Sequence, residues 1–339
     1  MLAKTLILAA AAAAALSAAG SAGSAAPSAA QDGRAWNREI AFTLRQTGRG
    51  DQVNLNLSYA HGRNHNNHGR TFDVADLQGL SLADGPTRFR FVREAGAIDC
   101  AGTLAGGRGS GTCRFTPDEG FAAELDRRGI GRPSAEDQFN LALSGVGRPL
   151  LVELDRQGYP RPRVSDLVGL GIHGADADYL RGLDAAGYRV GSLDKLVAFR
   201  IHGVTPAYIS ELAALGGEFR DMQADRLVEM RIHGVTPAFA RAMSELGFSG
   251  LGPGQLVAMR IHGVTEEKVR GYAELGYRNL SADALTQFAI HGVTPAYIRE
   301  MAAAGYPDLT VQQLVNMRIH GVRADDARAI NAAVAGTDD

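Results

Sequence analysis

The segment SADALTQFAIHGVTPAYIREMAAAGY, residues 281–306, contains the features that decide the fold of most of the chain. Ser281 is a typical helix N-cap, and Gly292 follows the first apolar stripe as a left-handed helix stop. Thr294 then caps a second helix, whose first turn accepts Pro295 because no N–H is needed there. The segment therefore predicts a hairpin of two helices of about ten residues each.

The same phrase recurs along the chain at a nearly constant interval. Ile-His-Gly appears six times with spacings of 29, 31, 29, 29 and 29 residues, and its histidines are His173, His202, His233, His262, His291 and His320. A degenerate copy, Ser144-Gly-Val146, lies 29 residues before the first. Hairpins this short cannot bury their apolar faces alone, so neighbouring units must pack together. Residues 118–332 are therefore predicted to form an α-solenoid of about seven and a half hairpins.

Residues 31–117 follow a different period. Ile40, Phe42 and Leu44 alternate with polar residues, and strict alternation is typical of half-buried antiparallel strands. Turn signals separate several such runs, which predicts a small antiparallel β domain, a five-stranded sheet or sandwich, with a short helical connection within residues 72–80. The fold class predicted for the whole chain is therefore α+β.

The two cysteines of the chain, Cys100 and Cys113, are predicted to form a disulfide. A two-residue turn at Gly106-Gly107 suits a type I′ hairpin, in which both central residues have positive φ. In that register the two cysteines face each other across the hairpin, close enough to bond. An even cysteine count also favours a bridge in an exported protein.

The N-terminus has the pattern of a secretory signal peptide. Lys4 precedes an apolar run, and small residues then dominate as far as Ala30, with several acceptable cleavage positions between about 19 and 30. The apolar run of about 12 residues is shorter than the roughly 20 that span a bilayer. Residues 1–30 are therefore predicted to be a signal peptide and 333–339 a disordered tail. The mature protein is expected to be periplasmic or secreted, without a membrane span.

Two sets of repeated residues are candidates for function. The six repeat histidines stand at helix C-termini, where an imidazole can donate to free carbonyls. A ladder that contacts a ligand is the alternative, whereas shared metal coordination requires ligands closer together than one helix layer. Four arginines each stand two residues before a histidine: Arg200, Arg231, Arg260 and Arg318. They form either a solvated face with ion pairs inside the hairpins or a charged groove for a partner peptide.

A third candidate lies in the β domain, where His61, His65 and His68 fall within eight residues. Three imidazoles this close could bind zinc, copper or nickel. The surrounding residues are rich in glycine and asparagine, so a flexible loop is the alternative interpretation. The chain has no metallopeptidase, nucleophile-elbow or nucleotide-binding motif. We therefore predict no catalytic residue and no cofactor.

The repeated units resemble a known tandem repeat. Arg260-Ile-His-Gly-Val-Thr265 and Ile290-His-Gly-Val-Thr-Pro-Ala-Tyr-Ile-Arg-Glu300 are similar to repeats found in exported bacterial proteins. Similar units also occur in the extracytoplasmic tails of membrane metallopeptidases of the β-lactam-sensor class, and the β domain resembles the segment that precedes such repeats in stand-alone exported members. The resemblance covers residues 118 to about 330. It implies no peptidase activity, because this chain lacks the metallopeptidase motif and the membrane helices.

Charge and architecture together favour protein binding. Solenoid surfaces suit extended partners, and residues 118–339 contain 29 acidic and 23 basic residues, a net charge of −6 that repels phosphates. We therefore expect a non-enzymatic exported scaffold that binds an envelope or extracellular protein or peptide. One alternative is nucleic-acid binding by turns such as 201–206, which resemble those of helix-hairpin-helix modules. The other is a metal-binding envelope protein that uses the His61, His65 and His68 segment.

Overall fold

The computed structural model describes Trp36 and residues 38–61, 64–248 and 250–335. Six strands come first: β1 (Ile40–Gln46), β2 (Gln52–His61), β3 (Asn64–Asp73), β4 (Gly85–Arg93), β5 (Gly96–Ala105) and β6 (Arg108–Pro117). They form one antiparallel sheet in the order β3-β2-β1-β6-β5-β4. The predicted signal peptide, residues 1–30, lies outside the described residues.

The sheet has one strand more than the sequence predicts. The segment around His65 and His68, for which a flexible loop was the alternative to a metal site, is β3, and it pairs with β2 along its whole length. Its period of two is obscured because inward positions hold polar residues such as His68 and Arg70. β3 is an edge strand, where inner-facing side chains need not be apolar. The helical connection expected within 72–80 is a single 3-10 turn, Val74–Asp76.

The sheet is strongly curved, so that its inner face packs on itself. Rings from strands that are not neighbours meet there. Phe42 of β1 contacts Phe89 of β4 with ring centroids 5.2 Å apart, and Phe72 of β3 contacts Phe91 of β4 at 5.0 Å. Because β3 and β4 are the two edges of the sheet, the second contact brings the edges together over an aromatic core.

The β5–β6 hairpin has the register that its turn predicts. Gly106 and Gly107 form the turn with φ values of +57° and +72°, and Cys100 lies opposite Cys113. The two cysteines form a disulfide on the buried inner face, with Cα atoms 4.0 Å apart. The predicted register is confirmed, since both glycines adopt the left-handed conformation that a type I′ turn requires.

Freshly purified protein is expected to contain no free thiol. Intact-mass measurement should show no added label after alkylation alone, and two labels when reduction comes first, because the chain has two cysteines. The bridge joins residues 13 positions apart, so reduction should lower the free energy of unfolding by about 2–3 kcal/mol. Alkylation of both cysteines in unreduced protein would refute the bridge.

Helices follow the sheet, and the described residues contain fifteen α-helices. Their bounds are α1 (Glu119–Arg127), α2 (Ala135–Ser144), α3 (Arg148–Arg156), α4 (Val164–Ile172), α5 (Ala177–Ala185), α6 (Leu193–Ile201), α7 (Pro206–Ala213), α8 (Ala224–Ile232), α9 (Pro237–Glu245), α10 (Pro253–Ile261), α11 (Glu266–Glu274), α12 (Ala282–His291), α13 (Pro295–Ala303), α14 (Val311–Ile319) and α15 (Ala324–Ala335). The predicted α+β fold class is confirmed. Strands give way to helices between Pro117 and Glu119, where the sequence predicts the change.

The helices stack in two rows. Even-numbered helices from α2 to α14 each pack on the next even-numbered helix, and odd-numbered helices from α3 to α15 do the same. This is the arrangement expected of repeated hairpins that bury each other's apolar stripes. The last helix, α15, continues to Ala335, three residues into the segment predicted as a disordered tail. Residues 336–339 lie outside the described part of the chain.

The repeat glycine ends an even-numbered helix in each unit, and α10 is an example. After His262, Gly263 has φ of +73°, and the N–H of Val264 donates to the carbonyl of Met259 at 2.8 Å. This bond is that of a Schellman stop, which satisfies carbonyls that the helix end leaves free. The Thr265 side chain then accepts a hydrogen bond from the first turn of α11.

Gly263→Val is expected to lower the free energy of unfolding by about 1–2 kcal/mol, because an L side chain is strained in the left-handed region. A Cβ at this position would meet no atom closer than 3.8 Å, so the cost comes from backbone conformation and not from a clash. Gly254→Val in the same helix is the matched control, since a Cβ there also meets open space and its φ is ordinary. A urea midpoint that falls equally for both variants would contradict the stop.

Candidate functional site

Six isoleucines occupy the same exposed position, one residue before each repeat histidine. Each is between 48% and 56% exposed: Ile172, Ile201, Ile232, Ile261, Ile290 and Ile319. We call these isoleucines, with the histidines that follow them, the isoleucine–histidine ladder. Exposed apolar residues scattered singly are ordinary, but a row that repeats in six consecutive units is typical of an interaction surface.

The ladder is a row because the helices that carry it are stacked, each even-numbered helix from α4 to α14 packing on the next. Within α6, Leu196 and Phe199 are buried. Ile201 follows Phe199 by two residues and therefore points away from it, about 200° around the helix. The two-residue offset from a buried position is present in the sequence and indicates exposure of the isoleucines, but only the histidines and arginines were predicted as candidates.

The histidines occupy the predicted helix ends, but their rings do not cap the carbonyls. In the described part of the chain, one of the six rings has a hydrogen bond, between Nε2 of His291 and Oε1 of Gln287 at 3.1 Å. Four of the rings belong to exposed residues: His173, His202, His262 and His320. These imidazoles stand beside the isoleucines, where they can donate to or accept from a ligand.

Arginines of the following unit bond the helix-end carbonyls instead. Nε of Arg200 donates to the carbonyl of His173 at 3.2 Å, and its guanidinium lies 4.7 Å from the centre of the Tyr179 ring. Arg231 and Arg318 repeat both contacts in their own units. These residues, which the sequence offers as candidates for partner binding, therefore join neighbouring units through a hydrogen bond and a cation–π contact.

We call this combination of a hydrogen bond to a helix-end carbonyl and a cation–π contact the arginine–aromatic clamp. Two units vary it. Where Phe239 replaces the tyrosine, Arg260 still lies 5.1 Å from the ring centre, while its Nε has no hydrogen-bond partner among the described residues. In the next unit both partners are lost together, with Lys268 at the aromatic position and Ala289 at the arginine position. Nζ of Lys268 donates to the carbonyl of Gly263 at 2.8 Å. A cation therefore stabilises the helix end in that unit as well.

The tyrosines also link units through their hydroxyl groups. Tyr179, Tyr208 and Tyr297 donate to valine carbonyls of the next unit at 2.6, 2.9 and 3.1 Å. In the unit that lacks the clamp, Tyr272 donates to the Val293 carbonyl at 2.6 Å from one turn later in its helix. Burial raises the pKa of Tyr208 and of Tyr272 to about 12, so these hydroxyls stay protonated and act as donors.

The repeat position that precedes the ladder is bonded to the sheet. Leu143 stands where later units have isoleucine, yet only 9% of it is exposed. Nη1 of Arg70 on β3 donates to the Leu143 carbonyl at 2.8 Å, as the repeat arginines do at later helix ends. The ladder is therefore continuous with a surface that already contacts protein within the chain.

Phe139 of α2 attaches the helices to the sheet. Its ring stacks on Trp36 at 5.0 Å and meets His68 edge-on at 5.8 Å. Arg38 adds an ion pair to Glu136 at 3.1 Å. Burial lowers the pKa of His68, and the nearby carboxylate of Glu136 opposes that shift. His68 is therefore a neutral packing residue of the junction at pH 7.

The structure separates two of the three histidines predicted as a metal site. His65 lies opposite Ala60 and is exposed, whereas His68 lies opposite the buried Leu57 on the inner face. Residues three apart in a strand face opposite sides. The His61 side chain lies outside what the structure describes, and the described residues contain no group of three side chains that could hold a metal ion. Metal binding by this segment stays a prediction.

A pocket of about 690 Å³ lies beside the disulfide and includes Arg90 and Asp99 in its lining. Nε of Arg90 is 3.4 Å from the Asp99 carboxylate, and the two cysteines are bonded to each other. These groups of the lining are therefore occupied by each other. The ladder, whose isoleucines are exposed in six consecutive units, is the better candidate site.

No family model, curated protein or solved structure matches the chain. Within the described ranges, no helix is both long enough and apolar enough to cross a bilayer.

Proposed function

We propose that the protein is an exported, non-enzymatic scaffold that binds an extended segment of a protein partner along the isoleucine–histidine ladder. The observation that carries the proposal is the row of six half-exposed isoleucines at one position of the repeat. Apolar surface in water is unfavourable, and covering it is the main driving force of protein association. Stacked repeats supply the long surface that an extended partner needs.

Nucleic-acid binding by the repeat turns is the alternative, and the ladder argues against it. Phosphates are bound by cations and polar groups, whereas each of these turns exposes an isoleucine beside its histidine. A metal-binding envelope protein is the second alternative, which the opposite facing of His65 and His68 disfavours.

Export is part of the proposal. The Cys100–Cys113 disulfide is compatible with an oxidising compartment outside the cytoplasm. The N-terminal segment, with Lys4 before an apolar run and small residues, supports a signal peptide. The proposed location is therefore the periplasm or the medium, where the partner would be an envelope or extracellular protein.

Each isoleucine of the ladder, with the histidine that follows it, is called a rung. Changing three central rungs in the variant Ile201→Asp/Ile232→Asp/Ile261→Asp is expected to weaken partner binding by at least about tenfold. The physical reason is that each change removes an apolar side chain that the partner would cover and replaces it with a carboxylate that must lose its hydration when the interface forms. The full chain is used to capture the partner from envelope extract. The partner is then identified, purified and titrated against wild type and variant by calorimetry.

Val152→Asp and Ile330→Asp are the matched controls, because both residues are 55% exposed and both lie outside the ladder. Each control is expected to bind the purified partner as wild type does, with the helical circular dichroism signal retained in all variants. If the three-rung variant also binds the purified partner as tightly as wild type, the ladder is not the binding surface.

A further inference from the structure

We infer that the partner segment is an acidic polyproline II helix with an apolar residue at every third position. The inference rests on the proposed function, because it describes the ligand of the same ladder. Four features carry it: the spacing of the ladder isoleucines, the charge beside them, the free imidazoles, and the protein contact at the repeat position before the ladder.

The spacing of the rungs matches one regular peptide conformation. Adjacent packed helices lie about 8–10 Å apart, so successive rungs do too. A polyproline II helix has three residues per turn and presents the same face about every 9 Å. A β-strand repeats its face about every 7 Å and an α-helix about every 5.4 Å. Polyproline II is the conformation that places successive apolar side chains on successive isoleucines.

The charge beside the rungs favours an acidic ligand. Four arginines stand directly before a ladder isoleucine: Arg200, Arg231, Arg260 and Arg318. None of the four is paired with a carboxylate among the described residues, whereas Arg226, Arg241 and Arg270 are each paired with a glutamate. Lys268 adds a further cation that bonds to a carbonyl. Uncompensated cations next to apolar rungs complement acidic residues placed between apolar ones.

The imidazoles supply the polar contacts that such a ligand requires. A polyproline II helix has no internal hydrogen bonds, so its carbonyls accept bonds from a binding surface. A histidine follows every ladder isoleucine, and in the described part of the chain only the ring of His291 is hydrogen-bonded. Within the described residues, five of the six ladder isoleucines are therefore followed by an imidazole that is free to donate to a ligand carbonyl.

The first unit shows that this position contacts protein within the chain itself. Leu143 takes the place of the isoleucine, and 9% of it is exposed. Arg70 of β3 donates to its carbonyl. The remaining rungs extend that interface along the helix row, and the inferred ligand would continue it.

The test uses the full chain and three fluorescein-labelled peptides of equal length. These are five Pro-Glu-Leu repeats, the same residues with the leucines irregularly spaced, and five Pro-Lys-Leu repeats. Anisotropy titration should show the Pro-Glu-Leu peptide binding at least about tenfold more tightly than either of the others. The variant Ile201→Asp/Ile232→Asp/Ile261→Asp should weaken its binding at least about tenfold, and Val152→Asp should not weaken it.

Each outcome has a separate meaning. Equal binding of the irregular peptide would overturn the period of three, and equal binding of the Pro-Lys-Leu peptide would overturn the acidic character. No binding of the Pro-Glu-Leu peptide would overturn the inference as a whole. Tighter binding of a single-stranded DNA oligonucleotide than of any of the three peptides would assign the ladder to nucleic acid. The calorimetric titration of the captured partner tests the proposed function separately. That function fails if the partner binds the variant Ile201→Asp/Ile232→Asp/Ile261→Asp as tightly as wild type.

Discussion

Phe139→Ala is expected to lower the free energy of unfolding by about 3–5 kcal/mol, the range for removing a fully buried phenylalanine ring. Phe139 is completely buried, and its ring contacts Trp36 at 5.0 Å and both Tyr59 and Phe115 at 5.4 Å. Since these three residues come from the sheet side of the junction, the cavity would open between sheet and helices.

The chain has one tryptophan, so Trp36 fluorescence reports on this junction while far-UV circular dichroism reports mainly on the helices. Urea unfolding of Phe139→Ala should move the fluorescence transition to lower urea. The matched control is Phe288→Ala, at a fully buried phenylalanine far along the helix rows. Because repeat units contact mainly their neighbours, this control should move the dichroism transition more than the fluorescence transition. An unchanged fluorescence midpoint for Phe139→Ala would contradict the role assigned to the ring.

Gly102→Val is expected to cost about 3 kcal/mol or more, since overpacking next to rigid backbone is at the costly end of core substitutions. A Cβ on Gly102 would lie 2.1 Å from the carbonyl oxygen of Ser110 and 2.8 Å from the Phe42 ring. Gly102 faces Gly111 across the β5–β6 hairpin, and this pair leaves the space that Phe42 occupies on the inner face.

The matched control is Gly69→Val, also within a strand, where a Cβ would meet the Asn56 side chain at an ordinary 3.5 Å. Thermal unfolding of Gly102→Val should show a large fall in melting temperature, and thiol titration should show incomplete formation of the Cys100–Cys113 bridge two residues away. Gly69→Val should melt close to wild type, because β-branched residues suit strands. A melting temperature for Gly102→Val equal to that of the control would show that the hairpin can move away from Phe42.

Local chemistry made several features predictable. The helix stop at Gly263 and the turn at Gly106 and Gly107 each depend on residues adjacent in the chain, so residue type alone indicates the backbone conformation. The repeat reinforces the helix predictions, because every unit carries the same cap and stop. The pairing of Cys100 with Cys113 follows once the turn position sets the register of the hairpin.

β3 was missed for a reason that lies outside its own sequence. Its inward residues His68 and Arg70 are polar, and they are accommodated because the strand is at an edge and the end of α2 accepts a hydrogen bond from Arg70. The arginine–aromatic clamp was missed for a similar reason, since Arg200 and Tyr179 belong to different units. The joint loss of both partners at Lys268 and Ala289 is a signal in the repeats that would have revealed the pairing.

Sequence alone was sufficient for the α+β class, the repeated hairpins and the register of the cysteine hairpin, because periodicity, capping and turn residues act over one or two turns of chain. The exposed ladder required the packed structure. An isoleucine within an apolar helix is compatible with burial or exposure, and which one applies depends on what the stacked neighbours cover. Leu143 is 9% exposed and its carbonyl accepts a hydrogen bond from Arg70 of the sheet, whereas Ile201 is 56% exposed. The same repeat position is therefore core in the first unit and candidate binding surface in the units that follow.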